Sequence, residues 1–279
     1  MEENLLKKTT KIITGLLLTI PLLVIAEGIR ENRQLDSEEI TITSNKLKNN
    51  QSTIKIAHLS DLQFPRLRVD RQVIMDTLIK EKPDVIFLTG DTIDRTESVV
   101  QTEFFDFLNE LTSTFPTYVV NGNHEETNPD YALWHHKILS SDAIYLENEV
   151  TSLSINGEIF NLIGLSNRQT SLSQNDYQKI NASFDTLVLA HHPELFDDYI
   201  NNLDHPLAIF SGHAHGGQWR LPGTDGLLAP DQGLLPTLTS GQYVKKSSNL
   251  IVSRGLANST FPLRINNYPH IIFTTIKGN

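Results

Sequence analysis

The sequence predicts an α/β sandwich of mixed sheets, with metal-ligating residues gathered at the carboxyl ends of its strands. Three observations predict it. Strand and helix periods alternate in the part of the chain that follows residue 53. Further along, strand-like runs follow one another with few helices between them. Five of the strands run directly into Asp, Asn or His.

Taken in order, Thr53 to Leu59 alternates, is rich in β-formers and ends in Ser60-Asp61. Val69 to Lys80 has helical spacing through Val69, Val73, Ile74 and Leu78. Asp84 to Leu88 is a short apolar strand running into Thr89-Gly90-Asp91. Ser98 to Leu111 reads as a helix with Phe104, Phe105 and Leu108 on one face. Thr117 to Val120 is a strand leading into Asn121-Gly122-Asn123-His124, and Pro129 to Leu139 is a helix. Strand-like runs follow at Ala143–Leu146, Val150–Ile155 and Glu158–Leu165. Asp185 to Ala190 ends in His191, and Leu207 to Ser211 ends in Gly212-His213. Leu250 to Ile276 reads as further strands with loops. No internal repeat is present.

The bulk numbers set limits. A chain of 279 residues, 39% hydrophobic and 20% charged, can bury a sizeable core. Its formal net charge of -10 argues against nucleic acid as a partner, because binding a phosphate backbone needs Lys and Arg to release counterions. There is no Cys, which excludes disulfides, thiolate nucleophiles and zinc–thiolate sites.

The N-terminus reads as a separate object. Lys7, Lys8 and Lys11 precede an apolar run from Ile12 to Ala26 that contains no charge. Residues 1–29 are therefore expected to be a signal peptide or an uncleaved signal-anchor transmembrane segment, and both alternatives stay open. The three Lys before the run, against Arg30 and Arg33 after it, favour an extracytoplasmic location for the rest: held at the cell membrane by one N-terminal anchor, or secreted if the segment is cleaved. Residues 30–52 read as a polar linker, and 53–279 as the folded domain.

The five chelating strand ends are Ser60-Asp61, Gly90-Asp91, Gly122-Asn123-His124, Ala190-His191 and Gly212-His213-Ala214-His215. Strand carboxyl ends converge at one edge of an open α/β sheet. Asp, Asn and His form a suitable ligand set for a pair of hard-to-borderline divalent ions. A glycine precedes the ligand in three of the five, allowing a sharp turn and close approach of the backbone. One such residue alone would read as a turn or cap; it is their joint occurrence in this order that carries the metal reading.

Gly90-Asp91-Thr92-Ile93-Asp94, Gly122-Asn123-His124-Glu125 and Gly212-His213-Ala214-His215-Gly216-Gly217-Gln218 resemble the signature blocks of the calcineurin-like metallophosphoesterases. Residues 211–222, the stretch from Ala229-Pro230 to Gly241-Gln242-Tyr243, and Val252-Ser253-Arg254-Gly255-Leu256 are similar to one branch of that family. That branch holds membrane-anchored or exported phosphoesterases and relatives that act on UDP-diacylglucosamine. The resemblance extends over roughly residues 53–277. It implies a four-layer α/β/β/α sandwich of two mixed sheets. It also implies a hydrolase of phosphoester or pyrophosphate bonds that uses two divalent ions, whether manganese, zinc, iron or magnesium. Its substrate would be a phosphorylated small molecule or a lipid-linked compound of the cell envelope.

Carried over residue by residue, the resemblance makes Asp91 the bridge between both ions. It gives Asp61 and His215 to the first, and Asn123, His191 and His213 to the second. His124 becomes a general acid or a stabiliser of charge on the phosphoryl group, and Asp94 an outer partner of the site. Physical chemistry agrees: a bridging carboxylate fixes the spacing of two cations, and neutral Asn and His ligands leave them electrophilic. A group with a pKa near 6.5 suits delivery of a proton to a leaving alkoxide.

The first block departs from the family. It reads Ser60-Asp61-Leu62-Gln63-Phe64, with Gln63 where the family has a His ligand. Gln63 could coordinate through its carbonyl oxygen, Asp94 could reach the first ion instead, or the first ion could be weakly held. The alternative function that follows is a catalytically weakened envelope protein that binds a phosphorylated ligand. The other histidines read as ordinary. His58 lies on the face of its strand opposite Asp61, His192 faces away, and His135, His136, His205 and His270 are solvated. Trp219, Arg220, Arg66 and Arg68 are open to either a structural or a substrate-contacting role.

Overall fold

The computed structural model describes residues 2–49, 51–259 and 261–279. In chain order the elements begin with helix α1 (Glu2–Glu31), strands β1 (Asp36–Ser44) and β2 (Thr53–Leu59), α2 (Arg71–Glu81), β3 (Val85–Thr89) and α3 (Phe104–Thr112). Next come β4 (Thr117–Val120), α4 (Asn123–Glu126), α5 (Tyr131–Leu139), β5 (Ile144–Tyr145), β6 (Glu149–Ile155) and β7 (Glu158–Gly164). The remainder is α6 (Gln174–Tyr177), β8 (Asp185–Leu189), α7 (Phe196–Asn202), β9 (Ala208–Ser211), β10 (Leu228–Ala229), β11 (Gly233–Leu234), β12 (Gly241–Lys245), β13 (Ser248–Val252) and β14 (His270–Gly278).

Two six-stranded mixed sheets result. The first is ordered β1-β14-β2-β3-β4-β5, antiparallel only where β14 meets β2. The second is ordered β12-β13-β9-β8-β7-β6, antiparallel only at its two edge pairs. Strand alternation sorts side chains into layers. Ile54, Ile56, Val85 and Phe87 meet Leu187, Leu189, Phe210 and Ile251 in the core between the sheets. Ala57, Leu59, Ile86 and Leu88 point the other way, onto Ile74 and Leu78 of α2, Phe107 and Leu108 of α3, and Trp134 of α5. Val188, Ile209 and Leu250 pack outward on Phe196, Tyr199 and Ile200 of α7. The layers are therefore α/β/β/α, as expected. Phe87 is fully buried, and each such side chain contributes roughly 1.5–3 kcal/mol.

The helix signals act locally. Asp70 caps α2, accepting from Gln72 N at 2.9 Å, and Lys82 closes it in a left-handed conformation ahead of Pro83. In α3, Phe104, Phe107, Leu108 and Leu111 form the buried stripe. This helix starts six residues later than its apolar pattern suggests at Ser98. The Ser98 carbonyl is taken up in a turn with Gln101 and Thr102, and Thr102 Oγ1 accepts from Phe104 N.

One element lies where the sequence reading places a linker. Within the expected polar linker, β1 forms an edge strand parallel to β14, with Ile40 and Ile42 buried and the residues between them exposed. An edge strand with only two inward apolar residues has the composition of a spacer, and its partner lies at the other end of the chain. Residues 2–31 are one helix containing Pro21, and among the described residues no helix is long and apolar enough to cross a membrane. The end of α1 docks on the loop 262–268. Asn32 Nδ2 donates to Pro262 O at 2.7 Å, Arg264 N to Asn32 Oδ1 at 3.1 Å, and Asn267 N to Glu31 Oε2 at 3.2 Å.

Candidate metal centre

The carboxyl ends of β2, β3, β4, β8 and β9 meet at one rim, and their turns are bonded to one another. Asp61 N donates to Gly90 O at 3.1 Å, Gln63 N to Asp91 O at 2.8 Å, and Gly212 N to His191 O at 3.1 Å. Asp61, Gln63, Asp91, His213 and His215 all have positive φ, between 39° and 63°. This left-handed region is uncommon for side-chain-bearing residues and recurs at functional sites. The glycines allow close approach: a Cβ on Gly122 would lie 2.3 Å from Asp91 Oδ1, and one on Gly212 1.9 Å from Ser60 Oγ.

Two clusters of donor atoms result, Asp61 with Asp91 and His215, and Asp91 with His191 and His213. Asp91 is common to both. His215 Nε2 lies 3.3 Å from Asp61 Oδ1, and His191 Nε2 3.3 Å from Asp91 Oδ2. Gln63 faces the first cluster, its Nε2 3.2 Å from His215 Nε2 and 3.4 Å from Asp91 Oδ2. Turning the amide over places its oxygen there instead, and amide orientation follows the hydrogen-bond network. Asp94 does not reach the cluster. It pairs with Arg66 at 3.0 Å, accepts from Thr96 N at 3.0 Å and approaches His124 Nδ1 at 3.3 Å. His124 Nε2 lies 3.8 Å from Asp91 Oδ2.

The residues fit a pair of cations. Asn123 Oδ1 and His191 Nε2 are buried here without hydrogen-bond partners, a costly state for polar atoms unless something positive meets them. The outer bonds set the histidine tautomers. His191 Nδ1 donates to Thr89 O at 2.6 Å, leaving Nε2 for the centre. His213 Nε2 meets Asp231 Oδ2 at 2.8 Å, leaving Nδ1. Electrostatics agrees. Burial pushes Asp61 up to about 6. Burial alone would depress His191, but Asp91 and Asp61 outweigh it and lift it to about 10. Burial, with the His191 charge, pulls His213 down to about 4. A positive charge thus sits between two carboxylates, and a divalent ion can take the place of the His191 proton.

At the open side of this rim lies a cleft of about 470 Å³, lined by Asp91, Asn123, His124, His213 and His215, with Arg66 and Arg95 at its edge. A larger cleft of about 670 Å³ includes Ser44, Asp185 and His205 at the opposite ends of the strands and contains none of the expected site residues. Burial disfavours a charged His124, but Asp94 and then Asp91 raise its pKa above the ordinary value.

Several residues depart from the sequence reading or were absent from it. His192, read as an ordinary residue facing away, is fully buried, and its ring centroid lies 4.1 Å from that of His213. His270 is buried on β14, 3.3 Å from Glu38 Oε2, because β14 is an inner strand. His58 has the ordinary role expected of it, buried and bonded to Thr89 Oγ1 at 2.8 Å. Arg220 and Trp219 are structural, bonding Gly216 O and Leu263 O at 3.1 and 3.0 Å. Glu125, one residue after His124, accepts from the backbone N–H groups of Gly122, Asp91, Thr92 and Ile93 and from the Thr92 hydroxyl. A glutamate at the third position after a helix-opening glycine is the signal that could have found it. Arg264, fully buried, gives bonds to Gly255, Ala257, Asn267 and Tyr268 carbonyls and so supports the loop behind Asp61.

Residues 54–217 match the description of the calcineurin-like phosphoesterases. The chain is 26% identical over 257 residues to the uncharacterized metallophosphoesterase YkuE of Bacillus subtilis, covering 89% of this chain and 87% of that one. It is 28% identical over 231 residues to the phosphodiesterase YaeI of Escherichia coli, covering 80% and 82%. Among solved structures, the Thermus thermophilus sulfate thiohydrolase SoxB aligns at a TM-score of 0.50 and 10% identity, over 73% of this chain and 52% of that chain. That likeness concerns the fold alone.

Proposed function

The chain belongs to the calcineurin-like phosphoesterase family, and from this we infer that it is a dinuclear metal-dependent hydrolase acting on phosphoester or pyrophosphate bonds. One observation carries the reading. Asp61, Asp91, His191, His213 and His215 meet in two clusters that share Asp91, directly beside His124 in an open cleft. Asp61, Gln63, Asp91 and His215 would hold one ion, and Asp91, Asn123, His191 and His213 the other. Two such ions supply Lewis-acid charge to the phosphoryl oxygens and lower the pKa of water.

The chain's own residues supply the rest. The Asp94 carboxylate, 3.3 Å from His124 Nδ1, fixes the orientation of the His124 ring. Asp94 and then Asp91 raise its pKa against the effect of burial, which favours the proton it would hand to the leaving oxygen. Arg66 and Arg95 stand where a second anionic group of the substrate would lie.

For the substrate we favour a lipid-linked or other cell-envelope compound. The support is the exposed apolar series on α1, with Leu17, Leu22, Leu23, Val24 and Ile25 all facing solvent, which suits attachment to a membrane surface. The test uses the full chain with bis-(p-nitrophenyl) phosphate, titrated with manganese, beside Asp91→Asn. Manganese-dependent turnover that vanishes in the variant is expected; equal turnover in the variant sinks the dinuclear reading. Efficient cleavage of soluble diesters, with every vesicle-borne lipid phosphate ignored, sinks the envelope reading alone.

A further inference from the structure

A second group of donors adjoins this centre. His192, Glu194, His213 and Asp231 bring one donor atom each within 4.8 Å of one another. His192 Nδ1 lies 2.8 Å from Glu194 Oε1 and 3.9 Å from Asp231 Oδ2, and His213 Nε2 lies 2.8 Å from the same Asp231 oxygen. A tetrahedral zinc ion with bonds of about 2.0–2.2 Å needs donor separations of about 3.4 Å, and these distances bracket that value.

Counting protons gives an independent reason to look for a cation. Asn167 Nδ2 donates to Glu126 Oε2 at 2.6 Å, which fixes the amide so that its oxygen faces His192 Nε2 at 2.7 Å. That ring nitrogen must therefore carry the proton. The other nitrogen of a neutral ring, Nδ1, then presents a lone pair to a carboxylate oxygen. Glu194 Oε2 is also buried with no hydrogen-bond partner. A polar pair of this kind, with acceptor facing acceptor, calls for either a second ring proton or a metal cation between them. The His192 side chain is fully buried, while that of Asp231 is 37% exposed, so the group is closed behind and open to solvent in front. Arg168 Nη2 pairs with this same Asp231 Oδ2, so a cation that takes the oxygen displaces the guanidinium.

We propose that His192, Glu194, His213 and Asp231 bind a third divalent cation of the zinc class beside the dinuclear centre. His213 is shared between the two, and the proton on its Nε2 is released when the cation binds. Two imidazoles with two carboxylates form a borderline donor set, suited to zinc ahead of magnesium.

Native mass spectrometry of the full chain, stripped of metal and titrated with zinc, tests this. Wild type should take up three ions, while Glu194→Gln should take up two and keep its hydrolysis of bis-(p-nitrophenyl) phosphate. His192→Gln serves as the second variant, should Glu194→Gln show the charge-state distribution of an unfolded chain. One ion in wild type and none in Glu194→Gln would support the third site while overturning the dinuclear reading. Equal uptake by wild type and a folded variant overturns the proposal, because Glu194 and His192 then form only a protonated ion pair.

Discussion

Replacing Glu125 by glutamine should damage the fold and the metal centre together. Its carboxylate is fully buried and accepts five hydrogen bonds. Oε2 takes Asp91 N at 3.0 Å and Gly122 N at 2.8 Å, and Oε1 takes Thr92 N, Thr92 Oγ1 and Ile93 N. A glutamine has one acceptor oxygen. Its best orientation keeps the three donors of Oε1 and turns an NH2 group toward the other two. Two buried backbone N–H groups then face a donor, at about 1–3 kcal/mol each, so the loss is about 2–6 kcal/mol. That is a large part of a typical total of about 5–15 kcal/mol. The same two groups position Asp91 and the turn that carries Asn123, so ion affinity should fall about 10–100-fold, as when a ligand's outer partner is removed. Urea unfolding of the metal-free chain at neutral pH measures the first effect, and calorimetric titration with manganese the second. A stability loss below about 1 kcal/mol together with unchanged affinity would refute the reasoning.

Three further outcomes follow from the same geometry. Gln63→His exchanges a neutral amide for an imidazole beside His215 and Asp91, so zinc should bind the first site at least about tenfold more tightly; unchanged titration curves would place Gln63 outside the centre. His124→Asn should lower kcat about 10²–10⁴-fold while leaving metal content intact, and a loss of bound ions on elemental analysis would make His124 a ligand instead. His58, held down to about 3 by burial and by the nearby His270, stays neutral in the fold. Because its folded pKa lies below the ordinary 6.5, stability is complete above pH 6.5 and declines as pH falls from there toward 3. Between pH 7 and 4.5 its contribution is about 3 kcal/mol; in metal-free protein, the loss of urea stability over that interval should be smaller by this amount in His58→Asn.

The inner strands and the ligand order were legible because both depend on short stretches. Val85–Leu88 and Leu187–Leu189 are apolar throughout, since parallel strands covered on both faces need no alternation. The residues after them chelate because strand ends share one rim. β1 was not legible, since its two buried isoleucines gain meaning only from β14. His192 was misread for a related reason. Alternation correctly turns it away from His191, but what lies on that side depends on Asn167 and Asp231, brought there by loops with no period of their own. Glu125 stood in view beside His124, yet its role rests on the β3–β4 register, with Leu88 opposite Val119, that brings residues 91–93 over it.

The left-handed backbone at Asp61, Gln63, Asp91, His213 and His215 ties these strands of argument together. Each such conformation costs on the order of 1–3 kcal/mol, least for Asp, and persists only where its surroundings over-determine it. Here they do. Asp61 is held by Gly90 O behind it and by His213 N, at 3.1–3.2 Å, in front of it. Asp91 is held by Glu125 from below, while its Oδ1 accepts from His124 N at 2.8 Å. A side chain on an extended backbone would continue the strand and point into one of the sheet's two faces. Turned through the left-handed region, the same side chain points along the strand axis, over the rim, where the others also point. For these five residues the strain and the convergence are one property, and the bonds around Asp61 and Asp91 hold in place carboxylates that burial and mutual repulsion would drive apart.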